Sequence, residues 1–293
     1  MDGHAVIAAD VAGGPWGIRH HTREYVMSIH DAITEIVPII RYTATTQERP
    51  EQAVAREYPL TIVFNNHEVA TMLCTPKQLD YLTVGFLSAE GFLKSNDKIL
   101  GLQIDEETGV ARLDSLDTQD FDQDILHKRV IPTGGGRGAA FYSTTDLANC
   151  RVAYDTKISV CEVLNLIDQF QHSSSVYDST HGVHSAAICS GTEILAYAED
   201  IGRHNAIDKV IGNCLLGDIP LERLIIITSG RISSEIVRKA TKKGFPIIIS
   251  IAAPTNVAVQ LAEKIGITLI ASVRGGKMDI YTHAERITGG VKD

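Results

Sequence analysis

The run Glu199-Asp200-Ile201-Gly202-Arg203-His204-Asn205-Ala206-Ile207-Asp208-Lys209-Val210-Ile211-Gly212 crowds acids, bases and an amide into one short stretch. A guanidinium beside an imidazole suits the binding of an anion, and flanking carboxylates can orient them. From Ile207 the apolar positions Ile207, Val210, Ile211, Cys214 and Leu215 follow the stripe of a helix with one face on a core. Arg203, His204, Asn205 and Asp208 are therefore expected on exposed first turns, where unpaired N–H groups and the helix dipole favour negative charge. Asp200 is the expected cap. The plain alternative is a capped, charge-decorated helix start without a ligand.

Three further stretches, Ser229-Gly230-Arg231, Ala252-Ala253-Pro254-Thr255 and Val273-Arg274-Gly275-Gly276-Lys277, each follow an apolar, β-branched run. Hydroxyls of Ser229 and Thr255 beside helix starts, glycines that admit a close backbone, and the charges of Arg231, Arg274 and Lys277 suit a phosphate or pyrophosphate if they converge. Taken singly, Ser229 and Thr255 read as N-caps and the basic residues as solvated. Three such loops on one sheet edge favour a ligand. The segment Thr180-His181-Gly182-Val183-His184-Ser185 brings two histidines, which together with His204 predict a histidine-lined pocket.

These loops need a scaffold. Strand Leu224 to Thr228, helix Ile232 to Lys243, strand Pro246 to Ile251, helix Asn256 to Ile265 and strand Ile267 to Ser272 imply βαβ crossovers and a parallel sheet, with ligands beyond the carboxyl ends of its strands. Upstream, a hairpin of Val183 to Ile188 and Ile194 to Ala198 feeds the polar run, and Ile158 to Phe170 is an amphipathic helix. Two more hairpins, Leu60 to Phe64 with Val69 to Leu73 and Ile99 to Ile104 with Val110 to Leu113, flank a helix begun by Thr75 as N-cap, Pro76 at N1 and Gln78 closing a capping box. The fold class is thus α/β: a C-terminal domain with a parallel or mixed sheet over residues 151–293, and a smaller α+β domain over 51–130. Residues 1–50 read as an extension with at most one short helix. Residues 131–150 read as a mobile linker around Thr133-Gly134-Gly135-Gly136-Arg137-Gly138, where glycines this dense cost too much entropy for a regular element.

The 293 residues are 44% hydrophobic and 22% charged, ordinary values for a globular chain able to bury a sizeable core. A net charge of −9 argues against general nucleic-acid binding and confines any anion site to a local pocket. Neither a secretory signal nor an apolar run near the ~20 residues of a membrane span is present, so the expected location is the cytoplasm, away from membranes. The five cysteines include no C-x-x-C pair, which excludes a zinc ribbon or disulfide framework; Cys161 and Cys214 are expected as inert core residues. His20 and His21 lack partners for a metal, and no metal site is expected.

Thr180 to Ala186, the whole run Glu199 to Gly212, Ser229-Gly230-Arg231 and Ala253-Pro254-Thr255, in this order, resemble the formate dehydrogenase accessory sulfurtransferase (FdhD-type) family. The likeness spans roughly residues 55 to 288 and includes Pro59-Leu60, Val84-Gly85-Phe86-Leu87 and Glu90-Gly91. It implies a cytoplasmic, homodimeric maturation factor whose α/β domain is cytidine-deaminase-like. Such a protein receives sulfur as a persulfide from a cysteine desulfurase and passes it to the molybdenum centre of formate dehydrogenase. It meanwhile holds the bis-molybdopterin guanine dinucleotide cofactor, for which a guanine nucleotide such as GDP can stand in. The family's cofactor-contacting stretch matches Ser272-Val273-Arg274-Gly275-Gly276-Lys277. Together with His184, Arg203, His204, Asp208, Ser229, Gly230, Arg231, Ala253, Pro254 and Thr255 these are the expected ligand-facing residues.

One departure stands out. The family commonly carries C-G-x-C-G in the mobile loop, and aligning the glycines puts Gly134 and Arg137 at the two cysteine positions. Neither can hold a persulfide. Cys150, the nearest thiol in sequence, either substitutes or is incidental. The readings left open are a sulfur carrier and sulfurtransferase, or a cofactor-binding chaperone that has lost the transfer chemistry. A zinc deaminase is excluded, because His184-Ser185-Ala186 lacks the glutamate of H-x-E and no P-C-x-x-C exists.

Overall fold

The computed structural model describes residues 33–95, 98–117, 130–131, 152 and 155–289. Strands β1 (Thr34–Pro38), β2 (Arg41–Tyr42), β3 (Gln47–Glu48) and β4 (Glu51–Ala55) nest as two antiparallel ribbons, β1 with β4 and β2 with β3. These strands fill the end of the stretch read as an extension with at most one short helix, and residues 1–32 of that stretch lie outside the described residues. The strands are too polar and too exposed on both faces to leave an alternating pattern.

The expected hairpin follows as β5 (Tyr58–Phe64) and β6 (His67–Cys74), turning at Asn65 and Asn66, both in the left-handed region. Helix α1 (Leu79–Glu90), β7 (Ile99–Asp105), β8 (Val110–Ser115) and β9 (Val130–Ile131) complete a five-stranded sheet of order β7-β8-β5-β6-β9. Its core joins Leu60, Ile62 and Phe64 of β5 to Leu82 and Phe86 of α1. The predicted helix start needs correction. The helix begins at Leu79 behind a left-handed Gln78 without a side-chain cap, while the hydroxyl of Thr75 reaches across to Asp200.

The C-terminal half contains β10 (Ile158–Ser159), α2 (Val160–Gln171), α3 (Ser175–Thr180), β11 (His184–Ser190), β12 (Glu193–Asp200), α4 (Arg203–Leu216), β13 (Ile225–Thr228), α5 (Ser234–Lys242), β14 (Ile247–Ser250), α6 (Asn256–Ile265), β15 (Thr268–Arg274), β16 (Lys277–Thr282) and β17 (Ile287–Thr288). Six strands form a mixed sheet of order β12-β11-β13-β14-β15-β16. Strands β13, β14 and β15 run parallel, as the βαβ pattern predicts, and β11 and β16 run antiparallel to their neighbours. Ile226 and Ile248 face the core shared with α4, α5 and α6, whereas Ile225, Ile227, Ile247 and Ile249 face the core shared with α2. Being buried on both faces explains the unbroken isoleucine runs.

The carboxyl ends of β12, β13, β14 and β15 and the start of β11 consequently share one sheet edge. Strand β16 had no sequence signal, because Lys277, Asp279, Ile280 and Tyr281 are all exposed on this outer strand. Another correction concerns Cys161. It sits in the first turn of α2 and is exposed, since the buried stripe of that helix is Val163, Leu166, Ile167 and Phe170.

Candidate functional site

A cleft of about 590 Å³ opens at that shared edge. Its floor is formed by His184 and Ser185 at the start of β11, Ile201 after β12, Ser229 after β13 and Ile251 after β14. One wall comes from Phe170 and Gln171 at the end of α2. The other comes from α3, whose Tyr177 and Asp178 are followed by His181, a left-handed residue whose ring meets that of Tyr177 edge-on at 5.1 Å. Of this wall, sequence reading expected His181, as part of a histidine-lined pocket, but not helix α3 that carries it. The helix's only trace is the polar run His172-Ser173-Ser174-Ser175, within which Ser174 caps α3 through the N–H of Tyr177 and donates its hydroxyl to Glu199.

Ser229 Oγ accepts the N–H of Ser185 at 2.9 Å and lies 3.3 Å from His184 Nδ1. Burial lowers the pKa of His184 below 6.5, and the charges of Arg203, His204 and Arg231 push in the same direction. Burial first, and the cationic neighbours second, thus disfavour the charged imidazolium. Arg203 is itself depressed by burial and by the guanidinium of Arg231. Its Nε is buried and, among the described residues, has no hydrogen-bond partner. Gly230 makes room for this side chain, since a Cβ at Gly230 would lie 2.7 Å from Arg203 Cβ and 2.9 Å from its Cδ. His204 Nε2 lies 3.2 Å from Glu235 Oε2, and that interaction holds the Glu235 carboxyl below its usual range. Cations gathered against one another inside a chain of net charge −9 are the signature of an anion site.

The expected site residues separate on this geometry. His184 and Ser229 line the cleft, and Arg203, His204, Gly230 and Arg231 stand beside it. Ala253 and Pro254 are tied to the same loop, through Ile232 N–H to Ala253 O at 3.3 Å and a bridge between Ile232 and Pro254. Thr255 caps α6 by accepting the N–H of Ala258. Ser272, at φ 55, donates its N–H to Ala252 O. The basic stretch is the turn of the β15–β16 hairpin. Arg274 pairs with Lys277 across Gly275 and Gly276, whose positive φ values suit a tight turn, and all four are exposed at the same sheet edge outside the cleft lining.

Four expectations fail. Asp208 faces no ligand: it is 1% exposed and is held by Lys239 Nζ at 2.6 and 2.7 Å. Asn205, in the first turn of α4, is also buried, its amide tied to Asp200 and Leu73, and beyond it α1 covers the helix as well as the sheet does. Val273 projects into the core shared with α2. Asp200 is not the cap itself; Gly202 is, and Asp200 Oδ1 accepts its N–H at 2.8 Å. Gly134, Arg137, Cys150 and the His20-His21 pair lie outside the described residues. Among the described cysteines, burial pushes Cys74 and Cys189 up to about 12 and Cys214 to about 11, values at which a thiol is no nucleophile. No group of three potential metal ligands and no helix long and apolar enough to cross a membrane occurs among the described residues.

The model of the FdhD/NarQ family matches residues 55–288, most of the chain and all of the cleft. The chain belongs to the FdhD/NarQ family. Family relatives include the sulfur carrier protein FdhD of Bacillus subtilis, 39% identical over 260 residues, which cover 88% of this chain and 99% of that one. The protein of the same name from Bacillus pumilus is 40% identical over 249 residues, covering 85% of this chain and 93% of that one. A crystal structure from Desulfotalea psychrophila, provisionally described as a formate dehydrogenase accessory protein, superimposes with a TM-score of 0.73 over 88% of this chain and 100% of that one, at 24% identity. The FdhD/NarQ match thus extends over both sheets as well as the cationic edge.

Proposed function

We propose that this FdhD/NarQ protein serves the maturation of formate dehydrogenase, carrying sulfur from a cysteine desulfurase to a molybdenum centre presented as the bis-molybdopterin guanine dinucleotide. The relatives named sulfur carriers support the role, and the cleft supports the cargo. The observation that carries the cargo reading is Arg203. Its buried Nε, beside Arg231 and without a partner among the described residues, would be satisfied by an anionic oxygen. Arg203 and Arg231 would hold the pyrophosphate, with His184 and Ser229 as hydrogen-bonding neighbours, while Phe170, Tyr177 and His181 bring aromatic rings to the lining. Arg274 and Lys277, exposed on the adjoining hairpin, extend the positive edge. When bound, the cargo supplies the molybdenum that accepts the sulfur; the chain's own part is to bind, orient and shield. On this reading the protein works in the cytoplasm as a homodimer.

A chaperone that has lost sulfur transfer is the second reading. It is favoured by Gly134 and Arg137 at the positions where the family's cysteines stand. The deciding experiment is rescue of formate dehydrogenase activity in a host lacking its own accessory protein, using the wild-type chain, Arg203→Ala, and a Gly134→Cys, Arg137→Cys double variant. The carrier reading expects rescue by wild type and loss with Arg203→Ala. Rescue by the double variant alone selects the chaperone, and undiminished rescue by Arg203→Ala removes the cleft from the account.

A further inference from the structure

The cationic turn at the start of α4 lacks a side-chain cap of its own. It is held from below by Asp200, which is 0% exposed and accepts five hydrogen bonds or ion-pair contacts. Oδ1 takes Gly202 N–H at 2.8 Å and Asn205 Nδ2 at 2.9 Å. Oδ2 takes Lys209 Nζ at 2.7 Å together with the N–H and hydroxyl of Thr75 at 3.0 and 3.1 Å. Lys209, also 0% exposed, donates in addition to Thr75 Oγ1 at 2.7 Å and Glu199 O at 3.2 Å. Asn205 gives a second N–H to Leu73 O at 2.9 Å.

Leu73 lies near the end of β6, in the other sheet, Thr75 directly follows that strand, and neither lines the cleft. An ion pair this deep contributes little to stability over an apolar pair of the same volume, so what it fixes is geometry. The geometry in question is the backbone Asp200 to His204, which carries Ile201 into the cleft floor and Arg203 against Gly230.

We propose that Thr75, with the buried Asp200–Lys209 pair, is a positioning residue of the anion site: the N-terminal sheet sets the α4 turn that presents Arg203. This rests on the anion-binding reading of the cleft given above. Thr75 reaches Asp200 by a backbone and a side-chain donor, so removing the hydroxyl withdraws one arm and also one partner of Lys209. Asp200 and Lys209 then resettle, and the turn that hangs on Asp200 Oδ1 moves with them.

The test titrates the full chain with guanosine diphosphate, and separately with inorganic pyrophosphate, by calorimetry at two salt concentrations. Thr75→Val should weaken both ligands about tenfold, the equivalent of one charge-assisted hydrogen bond, and Thr75→Ser should restore wild-type affinity. Asn205→Ala, which removes the tie from the opposite side, should weaken both alike if Thr75→Val does not fold. Because an arginine leaves the ligand, the salt dependence of the affinity should flatten in the weakened variants, which a mere loss of stability would not produce. Wild-type affinity in Thr75→Val, with Arg203→Ala impaired, overturns the positioning role alone. No binding of either ligand by the wild-type chain, or full binding by Arg203→Ala, overturns the anion site and the proposal with it.

Discussion

Gly85 of α1 and Gly212 of α4 meet backbone to backbone. A Cβ on Gly85 would lie 1.7 Å from the carbonyl oxygen of Asp208, and one on Gly212 would lie 1.9 Å from that of Tyr81. The two helices therefore touch through their main chains, which is the closest approach helices can make, and no side chain can yield to relieve an added methyl. Gly85→Ala or Gly212→Ala should cost about 3 kcal/mol, the upper end for overpacking. Denaturant unfolding with an unchanged slope would read it, and a loss below about 1 kcal/mol, the lower end for overpacking, would refute the contact.

Lys239 bridges α5 to Asp208 of α4 at 2.6 Å and to Glu90 of α1 at 3.6 Å. Burial opposes its charge, but the two carboxylates outweigh it and raise its pKa above 10.5. A cation whose pKa is raised by folding adds stability that is complete below 10.5 and fades as pH climbs through the folded value. Lys239→Met strands two buried carboxylates and should cost about 3–5 kcal/mol at neutral pH. The loss should shrink in acid, where the carboxylates take up protons. A pH series of thermal melts for both proteins checks the sign.

His184 has its pKa lowered by burial and by the cations around it. The unfolded chain then binds the proton first as pH falls below 6.5, so stability drops in that direction and is regained above 6.5. A ring proton followed by NMR should titrate below 6.5 in the free protein and move upward when pyrophosphate neutralises Arg203 and Arg231. Arg203→Ala should produce an upward shift without ligand. An unmoved titration would separate His184 from the anion site.

Native-state labelling with a maleimide, mapped by peptide, should modify Cys161 and spare Cys74, Cys189 and Cys214. The first is exposed at a helix start, and the others are buried with thiols raised to about 12, 12 and 11. Rapid modification of any of the three without denaturant would show that its cover opens.

Much of the scaffold could be read before folding. Helix α6 spans Asn256–Ile265 as its periodicity predicts, and β13 and β14 fall within the runs expected for them. Those elements are announced by burial periodicity and by caps that act locally. Strand β16 is mostly exposed and the ribbons of β1 to β4 bury no residue fully, so hydrophobicity left no mark on them. Thr75 looked like a helix cap because the local pattern Thr-Pro-x-Gln fits one; its real partner, Asp200, is 125 positions away.

The same division runs through the site. The βαβ pattern alone put Ser229 at the carboxyl edge of the parallel strands, because connectivity leaves that loop no other edge; His184, Arg203 and His204 reach the same edge through the antiparallel β11–β12 hairpin, whose place beside β13 only the tertiary structure decides. Which members of the polar run face the cleft was decided only in three dimensions. Arg203 lies against Gly230 beside the cleft, whereas Asp208, one turn and a residue further along α4, is sealed against Lys239 by the α1 contact at Gly85. A helix pattern records one buried face; a second face, covered by a helix from a distant part of the chain, is written nowhere in the helix itself.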